Sequence, residues 1–140
     1  MRLTIVQRGR IRDPLVVAAR DDYSRRFRRY GELTIVERPE KETASLFPAG
    51  RGFKVLLDER GETPTSEELA RSLERWTMAH GAIAFAIGDA YGHNAATLAA
   101  ADQRLALSRL TLQHTHAHLL LVEQLYRAAA ILRGDPYHHA

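Results

Sequence analysis

The sequence predicts an α/β domain, a mostly parallel sheet with helices on both faces, and three observations carry that prediction. Short β-branched or apolar runs alternate with longer stretches at helical spacing, the pattern of successive βαβ units. The run from Ala82 to Ile87 is apolar without alternation, as a strand covered on both faces requires. No internal repeat or low-complexity linker divides the 140 residues, so residues 1–140 are expected to fold as a single domain.

The elements follow in order. Leu3, Thr4, Ile5 and Val6 make residues 1–7 a buried strand running into Gly9. Asp13 suits an N-cap and Pro14 the first helical position, and Leu15, Val16, Ala19, Tyr23, Phe27 and Tyr30 then recur at helical spacing up to Gly31. Residues 33–36 form a second short strand, closed by Pro39. From 40 to 52, Pro48, Gly50 and Gly52 interrupt any period, which leaves a loop or a frayed helix. Residues 53–57 make a third strand, and Asp58-Glu59-Arg60-Gly61 reads as a charged turn after it. Thr65 or Ser66 caps the next helix, with Glu67 and Glu68 in the first turn where the dipole favours anions. Leu69, Leu73, Trp76 and Met78 form much of its apolar stripe before Gly81. Beyond the strand at 82–87 come an alanine-rich helix at 95–101, a short strand near 105–107, a loop through 108–114 and a last helix over 115–133.

Composition narrows the classes of function. Apolar residues at 45% and charged residues at 26% are ordinary globular usage, and no apolar run is long enough to cross a bilayer. The N-terminus lacks a secretory pattern, so a cytoplasmic location is expected. With no cysteine there is no disulfide framework, thiolate chemistry or Cys-ligated zinc. The net charge is only +3, yet every basic residue except Lys41 and Lys54 is arginine. Arg8, Arg10, Arg12, Arg20, Arg25, Arg26, Arg28 and Arg29 crowd the first thirty residues. Guanidinium groups suit phosphate and base contact, although the same run also fits a solvated helix face.

In sheets of this kind ligands collect beyond the carboxyl ends of the strands, here in the loops after Leu57, Ile87 and Leu107. Gly88 and Gly92 permit close backbone approach to a ligand, and a tight turn explains them equally well. Neither GxGxxG nor a P-loop occurs, which leaves a dinucleotide site or an NTPase without support. His114, His116 and His118 recur every second residue; without Cys or a nearby acidic ligand pattern, a polar loop and helix cap outweighs zinc, and no metal is expected. Glu123 and Arg127 have the spacing of a surface ion pair on the last helix, and with Tyr126 could instead serve a subunit or RNA interface. The terminal Tyr137-His138-His139 reads either as a loose tail or as groups that stack on a base.

Taken whole, the C-terminal half is more specific than its parts. Ala86-Ile87-Gly88 with Gly92-His93-Asn94, then the run Leu105 through Leu112 with His114, then Leu121-Val122-Glu123-Gln124-Leu125-Tyr126-Arg127-Ala128, then Arg133-Gly134-Asp135-Pro136-Tyr137-His138, resembles the ribosomal RNA large-subunit pseudouridine N3-methyltransferase family of the SPOUT class. Val55-Leu56-Leu57-Asp58 and Glu74-Arg75-Trp76 are similar to the middle of that family, so the resemblance spans nearly the full chain. It implies an α/β fold with a deep C-terminal trefoil knot, a homodimer, and S-adenosylmethionine held by Leu57, Gly88, Asp89 and the segment Leu107, Ser108, Arg109, Leu110, Thr111 and Leu112. It further implies methylation of pseudouridine in the helix 69 loop of 23S ribosomal RNA on the ribosome. Tyr137 and His138 would act at the base, with His138 as proton acceptor, and Arg8, His114, His118, Arg127 and His139 would contact RNA. The chain departs from the family pattern at Asp89 (usually glycine), Gln113 (usually proline), His118 (usually arginine) and His139 (usually arginine or lysine). The alternative expectation is a noncatalytic RNA-binding or ribosome-associated paralogue that has lost the cofactor.

Overall fold

The computed structural model describes residues 1–139. Five strands, β1 (Arg2–Arg8), β2 (Glu32–Arg38), β3 (Phe53–Glu62), β4 (Ala82–Ile87) and β5 (Gln103–Leu105), form one parallel sheet in the order β2-β1-β4-β3-β5. The helices are α1 (Pro14–Phe27), α2 (Ser66–His80), α3 (Ala95–Ala100) and α4 (His114–Arg133). Asp13 caps α1, its side chain accepting from the Leu15 N–H, and Pro14 takes the position expected of it. Thr65 rather than Ser66 caps α2, in a full capping box with Glu68.

The faces follow from the direction of each step along the sheet. The steps β1 to β2 and β3 to β4 run one way, and their helices α1 and α2 cover one face with α4 packed between them. The steps β2 to β3 and β4 to β5 run the other way, and their connections, residues 39–52 and α3, cover the opposite face. A single crossover hand requires this division. The first face carries the larger core, with Leu3, Ile5, Val55, Ile83 and Phe85 from the sheet against Phe27, Leu73, Leu121 and Leu125. On the second face Val6, Leu56 and Ala86 are covered by Leu46 and Phe47, so the segment read as loop or frayed helix is an irregular loop with an anchored apolar tip.

Three expectations change. Residues 58–61 are not a turn: β3 continues through them to Glu62, with a register break between Leu57 and Glu62 where it meets β5. Gly61 allows this, because a Cβ there would come within 2.7 Å of the Arg104 and Leu105 backbone. The strand near 105–107 lies earlier, at Gln103–Leu105, since pairing with β3 rather than local apolarity sets its position. Met78 is 81% exposed; the apolar stripe of α2 runs through Leu69, Leu73 and Trp76, which stacks on Phe53.

Candidate active site

The chain leaving β4 turns to one face and the chain leaving β3 to the other, which opens a crevice at their carboxyl ends. The cleft there measures about 640 Å³, a size suited to a nucleoside-like ligand. Three segments wall it: residues 57–59 at the β3 register break, residues 87–93 from the end of β4, and most of residues 105–114 from the end of β5 to the start of α4. Leu57, Gly88, Asp89, Leu107, Ser108, Leu110, Thr111 and Leu112 all line it, whereas Arg109 is exposed and does not.

Local chemistry shapes each wall. Gly88 has no left-handed backbone requirement; it is needed because a Cβ would sit 2.5 Å from the Gly92 carbonyl oxygen, where the loop folds back on itself. Asp89 spends Oδ1 on the Tyr91 N–H at 2.8 Å, so its carboxylate braces the turn. Ser108 braces the third wall in the same way, accepting from the Leu110 N–H at 2.9 Å. The walls are also tied together: His93 Nε2 donates to the Leu57 carbonyl at 2.8 Å, and the Thr111 hydroxyl donates to Glu59 at 3.3 Å. Burial pushes the His93 imidazole below its ordinary value, so it is the neutral ring that holds this bond. At the mouth, α4 begins with His114 in the wall and an N-cap, Gln113, that provides no side-chain hydrogen bond. That end of a 20-residue helix therefore presents main-chain donors and the positive end of its dipole.

Two residues expected at an RNA surface lie in the interior. Arg8 is 5% exposed and donates to the Pro39 and Ala44 carbonyls, with Glu42 3.7 Å away, so its charge pins the 39–47 loop. His118 is fully buried on α4, its Nδ1 bonded to Gln7 Oε1 at 3.0 Å. Helical geometry explains the histidine run: His114 and His118 share the inner side of α4 and His116 faces out, so the three do not converge on one point. Among the described residues no group of His, Cys, Asp or Glu is placed to hold a metal ion, and no helix is long and apolar enough to cross a membrane.

The tail forms a second polar cluster. The Tyr137 ring packs edge-on against Tyr126, with the Arg127 guanidinium 4.7 Å from its centre, and its hydroxyl donates to Glu123 at 2.8 Å. Arg127 grips Glu123 through two nitrogens at 2.7 and 3.1 Å and donates to His138 Nδ1 at 3.0 Å. His138 Nε2 in turn donates to Glu67 at 2.8 Å and holds that carboxyl below its usual range. Both imidazole nitrogens are thus occupied, and Arg127 is a partnered group, not a free cation. Neither Tyr137 nor His138 lines the cleft of its own chain; His139 is exposed beside them.

Sequence reasoning missed the brace His93, the interior pair Gln7–His118 and the anchor Asn94, whose amide donates to the Glu42 and Ala44 carbonyls while its oxygen caps α3. Only the sequence Gly92-His93-Asn94 hinted at the first and last of these.

Residues 1–138 match the family model described as "Predicted SPOUT methyltransferase". The chain belongs to the SPOUT methyltransferase family. Full-length SPOUT relatives agree: the chain is 45% identical over 139 residues to the ribosomal RNA large subunit methyltransferase H of Thermus thermophilus, covering 99% of this chain and 98% of that protein. It is 40% identical over 152 residues to the protein of the same name from Anaeromyxobacter dehalogenans (strain 2CP-C), covering 99% of each. The counterpart of that name in Sorangium cellulosum is 41% identical over 145 residues, covering 99% of this chain and all of the relative. The strand-end cleft is accordingly the candidate active site of a SPOUT methyltransferase.

Proposed function

We propose that this protein transfers a methyl group from S-adenosylmethionine to N3 of pseudouridine in the helix 69 loop of 23S ribosomal RNA, acting in the cytoplasm on the ribosome as a homodimer. The observation that carries the reading is the cleft of about 640 Å³ walled by three strand-end segments, in a chain that matches a methyltransferase family over nearly its whole length. When bound, the sulfonium cofactor supplies a methyl group that is already activated.

The chain's own residues are left with binding and alignment, which suits a wall made largely of main chain. Leu57, Gly88, Asp89, Leu107, Ser108, Leu110, Thr111 and Leu112 are proposed to hold the cofactor, with Ile87, Leu98, Leu105 and Ala106 as apolar surface for a flat ring. His114 at the mouth, Arg127 and His139 are the proposed RNA-side groups. Because the tail does not reach its own chain's cleft, Tyr137 and His138 are proposed to act at the cleft of a second copy, which supports the dimer. The deep C-terminal trefoil knot belongs to the same proposal: residues 106–113 carry the chain from the α3 side of the sheet to the α4 side. The uracil-like ring must lose its N3 proton; His138 takes it only after Arg127 releases Nδ1, and the freed Nη1 of Arg127, its other nitrogens still on Glu123, can then face the developing anion.

The test compares ribosomal RNA from a strain lacking the protein with that of its parent. Digestion and mass spectrometry should show loss of one methylated pseudouridine, restored by the wild-type chain and not by His138→Ala. Identical nucleoside profiles would overturn the reading, and would leave the noncatalytic RNA-binding module in its place.

A further inference from the structure

Beneath the wall at Gly88 lies a buried polar group that the proposed chemistry does not use. Gln7, the last residue but one of β1, lies opposite Ile87 in the sheet register and is fully buried. Its amide nitrogen donates to the Arg8 carbonyl at 3.0 Å and to the Gly88 carbonyl at 3.3 Å. Two carbonyls can only accept, so the NH₂ must face them and Oε1 must face His118. His118 therefore carries its proton on Nδ1, and its Nε2 is left buried without a partner. An uncompensated ring nitrogen in the core costs stability. The arrangement that leaves it so also locks the Gln7 carboxamide in one orientation.

We propose that Gln7, oriented by His118, is a positioning residue that fixes the Gly88 peptide at the cleft and so sets the grip on the methyl donor. The claim rests on the proposed cofactor site and deepens it. A trans peptide holds its C=O and the following N–H antiparallel, so anchoring the Gly88 oxygen fixes the Asp89 amide as well. The Gly92 carbonyl lies over the position a Gly88 Cβ would take, so a shift of this peptide is passed on to the turn above it. The link also joins two walls of the cleft, since His118 stands one residue beyond Ala117, the last of α4 to line it. The binding loop is thereby tied to the helix that follows the third wall.

The test uses the full-length protein and S-adenosylmethionine, with two readouts: the dissociation constant by calorimetry, and hydrogen exchange of the 88–92 amides without ligand. Gln7→Met keeps the side chain's length and removes both hydrogen-bonding ends. It should weaken donor binding about tenfold, equivalent to about 1.4 kcal/mol, and speed exchange at 88–92 above the rest of the sheet. His118→Asn retains a donor near the Nδ1 position and should bind like the wild type, whereas His118→Leu should follow Gln7→Met. Wild-type affinity together with unchanged loop exchange in a folded Gln7→Met would overturn the proposal. If that variant does not fold, equal affinity and exchange in His118→Asn and His118→Leu would overturn it instead. Failure of the wild type to bind the donor would refute the cofactor reading, and the loop exchange would still decide the role of Gln7.

Discussion

Acid should unfold this protein through His118. The imidazole is fully buried, and burial, with Arg20 and His114 nearby, lowers its value from 6.5 to about 4. Between those values the unfolded chain binds a proton that the folded chain excludes, so stability is full above about pH 6.5 and falls as pH drops towards about 4. At about 1.4 kcal/mol for each factor of ten in proton affinity, the whole separation amounts to about 3 kcal/mol. About 2 kcal/mol of it is gone by about pH 5, a large share of a typical domain's 5–15 kcal/mol. His118→Asn keeps a donor towards Gln7 and does not titrate. Urea unfolding at about pH 7.5 and about pH 5 should show the wild type losing about 2 kcal/mol more than the variant between the two conditions. His93, also held below its ordinary value by burial, adds a loss in the same direction to both proteins and cancels in the difference. Equal losses in the two proteins would show that His118 is not the group whose protonation destabilises the fold.

Other perturbations read other parts of the structure. Gly88→Ala puts a methyl group 2.5 Å from the Gly92 oxygen; the loop must open, and donor affinity measured by calorimetry should drop about tenfold, in line with overpacking costs of about 1–3 kcal/mol. Thr65→Ala removes one half of the capping box of α2 and should lower stability in urea by about 1 kcal/mol, with the Michaelis constant for the donor unchanged. Removing residues 137–140 strips Tyr137 from Tyr126 and leaves the Glu123–Arg127 pair without its tail partners. Methyl transfer to ribosomes should cease while the donor still binds, a split visible by comparing a radiolabel transfer assay with calorimetry.

Much of the architecture is legible in the sequence because it depends on local signals. Asp13-Pro14 sets the start of α1, Thr65 and Ser66 bracket that of α2, and the unbroken apolar run at 82–87 marks β4 as a strand covered on both faces. The three loops that wall the cleft are legible for the same reason, since they follow strand ends. What escapes is whatever a distant partner decides. The charged residues 58–60 look like a turn, but β5 and the missing side chain of Gly61 let β3 run on. Arg8 and His118 look like surface groups because sequence does not display the carbonyls of Pro39 and Ala44 that take the Arg8 guanidinium, or the Gln7 carboxamide oxygen that accepts from His118 Nδ1. The Asp89 carboxylate, set in the wall of the cleft, is accommodated by a single N–H two residues on.

On the proposed function, main chain at three strand ends grips the methyl donor. In a crystal grown with S-adenosylmethionine the ligand should lie in the strand-end cleft against Leu57, Gly88, Leu107, Ser108, Leu110, Thr111 and Leu112, with the Asp89 carboxylate still turned to the Tyr91 N–H. Density for the ligand elsewhere, or an Asp89 side chain swung into an otherwise solvent-filled cleft, would contradict it.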